Sequence, residues 1–142
     1  MAGNPKNRGR RPQSSKSSFP EPAKPPDYDD ESSKFCLNFL RDGFDVHALD
    51  AQGQAAFAKT LQKLASMKWK ELITAGRHGH GTEQIPAGQI KAQIPPQFQD
   101  QEKFLVFRYN GMLPMAGVRV RDIYHVLWIE PEFNRLYDHG GS

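Results

Sequence analysis

At 142 residues the chain is sized for one domain. A hydrophobic content of 37%, a mean hydropathy of −0.70 and the lack of any run of about eighteen apolar residues exclude a helical membrane span. The formal charge of +3, from 19 Lys and Arg against 16 Asp and Glu, is compatible with a nucleic-acid partner without requiring one.

Residues 1–33 are rich in Pro, Ser, Lys and Arg and hold few large apolar side chains, so they read as a disordered charged tail. Its charges are blocked. Lys6, Arg8, Arg10, Arg11 and Lys16 come first, then Glu21, Asp27, Asp29, Asp30 and Glu31. Basic residues without an apolar stretch behind them do not make a secretory signal, and the expected compartment is the cytoplasm. A folded domain is expected over 34–142.

The run KFCLNFL from Lys34 alternates as a first strand, closed by a turn at Asp42-Gly43. Its lone Cys36 excludes an internal disulfide framework and a cysteine-rich zinc site, and is expected as a buried, inert thiol. Asp50 offers an N-cap for a helix over 51–65, where Phe57, Leu61 and Leu64 form one apolar stripe. Ser66 is expected to cap a second helix over 67–75 that buries Trp69, Leu72 and Ile73 and stops at Gly76. The run RHGHGTEQIPAG reads as a loop, and 89–94 is ambiguous between strand and short helix. Strands follow over 103–109, 115–121 and 122–130, with a short fourth over 134–139. The class is therefore α+β, an N-terminal strand and helical hairpin packed on a C-terminal antiparallel meander.

The meander carries more cations and imidazoles than a structural sheet needs. Arg119 and Arg121 share one face of a strand about 7 Å apart, a spacing that lets two guanidinium forks engage neighbouring phosphates. Arg108 on the preceding strand can extend that wall. The bland alternative pairs these arginines with Asp122, Glu130 or Glu132. His125 shares strand parity with Ile123, Leu127 and Ile129, so it reads equally well as a core histidine. Tyr137 and His139, two residues apart, are expected to face the same way.

RNA cleavage by its own 2′-hydroxyl needs a base, an acid and cationic support for the phosphorane, and no metal. His139, Tyr137 and Arg119 are thus the candidate catalytic residues, with His125 and His80 in reserve. Arg108, Arg121, Arg77, His78 and His80 are candidate nucleic-acid contacts, the last three from a glycine-flanked loop. An HxH pair alone does not make a metal site, and no metal or cofactor is expected. The sequence has no glycine-rich phosphate loop, GxSxG or HExxH, and its folded part has no cluster of paired carboxylates suited to two-metal chemistry.

The stretch GVRVRDIYHVLWIE followed by NRLYDH, within residues 34–139, resembles the RelE/ParE-type toxins of bacterial toxin–antitoxin modules. The resemblance rests on a G-x-R strand, a hydrophobic strand and a terminal segment bearing Tyr and His. It implies a RelE-like fold and a small endoribonuclease that acts on RNA, in some members on the ribosome, and is neutralised by a cognate antitoxin. It places Arg119 at the arginine of the G-x-R strand, Arg108 at a basic position of the preceding strand, and Tyr137 and His139 at the terminal aromatic and imidazole. The tail and the HGHG loop have no counterpart in that pattern, and a gyrase-poisoning branch shares the fold without ribonuclease chemistry. Two other functions fit the same residues: a non-catalytic nucleic-acid or ribosome-binding module, and a protein-interaction domain using Trp69, Trp128 and the meander.

Overall fold

A computed structural model describes residues 27–75 and 83–140 of the chain. The tail over 1–26 and the loop residues Arg77, His78 and His80 lie outside that range. Helix α1 spans Ala51–Ala65, and its Asp50 cap accepts the Gly53 amide at 2.7 Å. Phe57 and Leu64 are buried on its inward stripe. Ser66 does not open the second helix. It closes α1, its hydroxyl donating to the Lys63 carbonyl, which leaves the next helix to start later. Helix α2 (Trp69–Ala75) is instead held by Glu71, whose carboxylate accepts the Lys68 amide at 2.8 Å. Trp69 and Leu72 are buried, whereas Ile73, expected inside, is 50% exposed.

The class is α+β, with one mixed five-stranded sheet and two helices. Its strands are β1 (Lys34–Cys36), β2 (Glu83–Pro86), β3 (Lys103–Asn110), β4 (Leu113–Val120) and β5 (Ile123–Ile129). They lie in the order β1-β5-β4-β3-β2, with β1 parallel to β5 and the other pairs antiparallel. Strand β1 is shorter than its apolar run predicts, and Cys36 at its end is half-buried rather than buried. Strand β2 falls where a loop was expected. It sits at the sheet edge, which is where Pro86 is tolerated.

The expected strand over 134–139 is a series of turns. Asn134 adopts φ 66°, and the Leu136 backbone is satisfied by Lys91 and by the Glu130 side chain rather than by a neighbouring strand. Among the described residues no helix is long and apolar enough to cross a membrane.

Two cores sandwich the sheet. Phe57, Leu64, Trp69 and Leu72 pack on the face carrying Phe107, Met115, Tyr124 and Val126. The other face carries Phe104, Val106, Val118, Leu127 and Trp128, and neither α1 nor α2 covers it. Its cover is the 87–98 segment and the C-terminal turns, through Ile90, Ile94, Phe98, Leu136 and Tyr137. Residues 27–33, expected in the tail, also pack on the domain: Ser33 is buried and donates to the Leu64 carbonyl at 2.6 Å.

A bulge at Leu127 interrupts β5, where Ala116 faces Trp128 but the next residue, Gly117, faces Val126. Side-chain alternation therefore breaks at this point, so Leu127 and Ile129 fall in different cores. Gly117 is what lets the strands close over the bulge. A Cβ there would overlap the His125 carbonyl oxygen and press on the Val126 backbone. Gly117→Ala should cost about 3 kcal/mol, the upper end for overpacking, because the obstructing atoms are backbone. Urea unfolding with an unchanged slope and a lowered midpoint is the expected readout.

Candidate functional site

Strand alternation puts Phe104, Val106 and Arg108 in sequence along the face away from α1 and α2, so Arg108 stands where that core runs out toward the β3–β4 turn. Glu83 pairs with Val106 and Ile85 with Phe104, bringing the edge strand alongside. The C-terminal turns fold back over the same corner. The result is a cavity of about 450 Å³ lined by Glu83, Arg108, Met112, Phe133, Tyr137 and His139, among others. Three residues singled out in the sequence, Arg108, Tyr137 and His139, thus share one concavity.

Behind His139 lies Glu130, which is fully buried. One of its carboxylate oxygens accepts the Leu136 amide at 2.7 Å, and the other sits 2.7 Å from Nε2 of His139. In the tautomer that donates from Nε2 to this oxygen, Nδ1 keeps its lone pair. The ring is also clamped. Tyr137 stacks on it at 4.4 Å and 23°, Phe133 lies 4.5 Å away at 41°, and the Asn134 side chain accepts the His139 amide at 2.9 Å. A carboxylate-held imidazole beside a guanidinium can move a proton next to an anion. Tyr137 has a narrower role. Burial, followed by the charges of Glu83 and Glu130, pushes its phenol upward, with Arg108 opposing, so it stays a hydroxyl and can donate but not act as a base.

Arg119 is elsewhere. It pairs across the strands with Tyr124, on the helix side of the sheet. Its guanidinium lies 4.4 Å over the Trp69 ring, donates to Asp29 at 2.8 Å and reaches the Asp27 and Arg121 carbonyls. The catalytic role expected for Arg119 is corrected accordingly: strand parity paired it with Arg121, but its face is the one that Trp69 covers. Arg119→Ala should cost about 1 kcal/mol of stability and leave chemistry at the cavity unchanged.

Arg121 occupies the β4–β5 turn at φ 59° and is exposed. The eight residues of β4 place that turn roughly 25 Å from the β3–β4 turn, so Arg121 cannot share a phosphate with Arg108. His125 is set between Phe39 and Phe98, its Nδ1 buried and without a partner among the described residues. Burial lowers its pKa, as befits a packing histidine, and it does not line the cavity.

Glu130 is the residue of the candidate site that sequence reasoning missed, since it was weighed only as an ion-pair partner for arginines. The available signal was its position: an acid that directly continues the buried run IYHVLWI and must find a partner. Glu83, Phe133 and Asn134 carried no such signal. Among the described residues no group of three or more His, Cys, Asp or Glu side chains gathers in a way that could hold a metal ion. No protein-family model matches the chain, and no curated protein or solved structure matches it either.

Proposed function

We propose that the protein is a metal-independent endoribonuclease whose centre is His139 held by Glu130 beside Arg108. The observation that carries the proposal is the buried Glu130–His139 contact of 2.7 Å opening into a cavity that also presents Arg108 and Tyr137. In this scheme Nδ1 of His139 takes the proton of a ribose 2′-hydroxyl and the freed oxygen attacks the adjacent phosphorus. Arg108 stabilises the charge of the phosphorane, and the P–O5′ bond breaks. The departing O5′ takes up a proton from water, the His139 imidazolium returns its proton to solvent, and the other fragment keeps a 2′,3′-cyclic phosphate, with the Tyr137 hydroxyl available as a hydrogen-bond donor.

A toxin of a toxin–antitoxin module with a RelE-like fold is the biological setting we propose. The chain order of strand, helical hairpin and meander supports it, as does the placing of Arg108, Tyr137 and His139 in one site. A cognate antitoxin and RNA, free or on the ribosome, are then the partners, and the cytoplasm the place of action. Incubation of the purified protein with single-stranded RNA in a chelator, with and without ribosomes, tests the reading. Fragments ending in cyclic phosphate are expected, and DNA of the same sequence should stay intact. If neither free nor ribosome-bound RNA is cut, a non-catalytic binding module replaces the enzyme.

A further inference from the structure

Met112 and Phe133 are 53% and 51% exposed, among the most exposed large apolar side chains of the described residues. They come from separate segments, the β3–β4 turn and the C-terminal turns, yet both line the cavity that holds Arg108 and His139. A single exposed apolar residue needs no explanation, but two of them flanking a cation and an imidazole in a concave site mark a binding surface. The rings are also ordered. Tyr137 is buried, His139 partly so, and Phe133 is the most exposed of the three, its ring tilted by 41° against the imidazole.

We infer that Phe133, with Met112, forms a stacking platform for one unpaired nucleobase next to the phosphate held by Arg108. The inference rests on the reading of this cavity as an RNA site and adds the subsite that selects single-stranded substrate. A volume of about 450 Å³ is near the lower part of the roughly 300–1,000 Å³ spanned by small-ligand sites, and it suits one nucleotide. Bases inside a duplex are already stacked on both faces and offer none to Phe133, whereas splayed bases of a single strand do. Charge fixes the orientation. Glu83 also lines the cavity and disfavours a second phosphate there, whereas the Asp138 carboxylate is paired with Lys91, so the contact beyond Arg108 is to a base and not to more backbone.

The test is a binding cycle on a short 2′-O-methyl RNA oligonucleotide, which cannot be cleaved. One abasic residue is moved along it and affinity is read by fluorescence anisotropy at fixed salt. For the unaltered protein, affinity should fall about 5- to 100-fold at one position of the abasic residue. Phe133→Ala should weaken binding of the complete oligonucleotide by a similar factor and abolish the further loss at that position. Phe133→Tyr should keep both properties, and Met112→Ala should give a smaller loss at the same position. An abasic penalty as large in Phe133→Ala as in the unaltered protein overturns the platform, and so does the lack of any sensitive position. Cleavage is not read here, so the two ideas separate. The full cycle in a protein that never cuts RNA upholds the platform and removes the nuclease, and cutting without the cycle does the reverse.

Discussion

Replacing His139 by alanine is expected to lower RNA cleavage by about 10²–10⁴-fold, the usual worth of a positioned acid–base group. RNA affinity should stay within about twofold, because Arg108 and the apolar rim remain in place. The imidazole is suited to this role by what surrounds it. Glu130 contacts Nε2, Tyr137 and Phe133 flank the ring, and Nδ1 is the nitrogen that the proposed scheme gives to substrate. Removing the ring also strips the buried Glu130 of one partner, so stability must be followed alongside rate. His139→Gln, which restores a donor, should recover most of the lost stability and none of the activity. Loss of rate in both variants, with thermal unfolding restored only in the second, separates chemistry from folding.

Glu130→Ala should be the most damaging single change to the fold around the site, at about 3 kcal/mol. It leaves the Leu136 amide and His139 Nε2 without their acceptor and opens a void in a fully buried position. In a domain of this size that corresponds to a fall in melting temperature on the order of 10–20 °C. The substitution also frees the turns over 131–139 that carry Phe133, Tyr137 and His139. Cleavage should therefore fall further than folded fraction alone explains. Glu130→Gln should unfold less readily yet remain weak in cleavage, since a neutral amide no longer stabilises the imidazolium formed during the reaction. An alanine variant with unchanged melting and cleavage would make the Glu130 contact incidental.

The local parts of the fold were legible because local chemistry decides them. Asp50 and the stripe of Phe57, Leu61 and Leu64 define α1 without help from the rest of the chain. The hairpin strands β3, β4 and β5 follow from alternation and tight turns. Strand β2 was illegible because four residues ending in proline become a strand only through pairing with β3. The bulge at Leu127 was illegible for a related reason: it depends on Gly117 in the facing strand.

Tyr137 and His139 line one cavity although the strand assumed for them does not exist. Their spacing brings them together in a turn as it would in a strand. Arg119 was misplaced because its partners, Trp69 and Asp29, lie 50 and 90 residues away in sequence, and parity alone cannot say which face a distant helix covers. Glu130 went unseen because its burial is created by the chain folding back between Pro131 and His139.

Single-turnover cleavage of a DNA oligonucleotide carrying one ribonucleotide, in a chelator, addresses the central claim most directly. Strand scission only after the ribonucleotide, with a 2′,3′-cyclic phosphate product and none from the His139→Ala protein, is the predicted result. An uncut oligonucleotide from a protein that cuts RNA would mean the chosen site falls outside its sequence preference, so the ribonucleotide is placed at a position mapped in RNA beforehand. Scission there that is as fast in the His139→Ala protein as in the unaltered one would contradict the account.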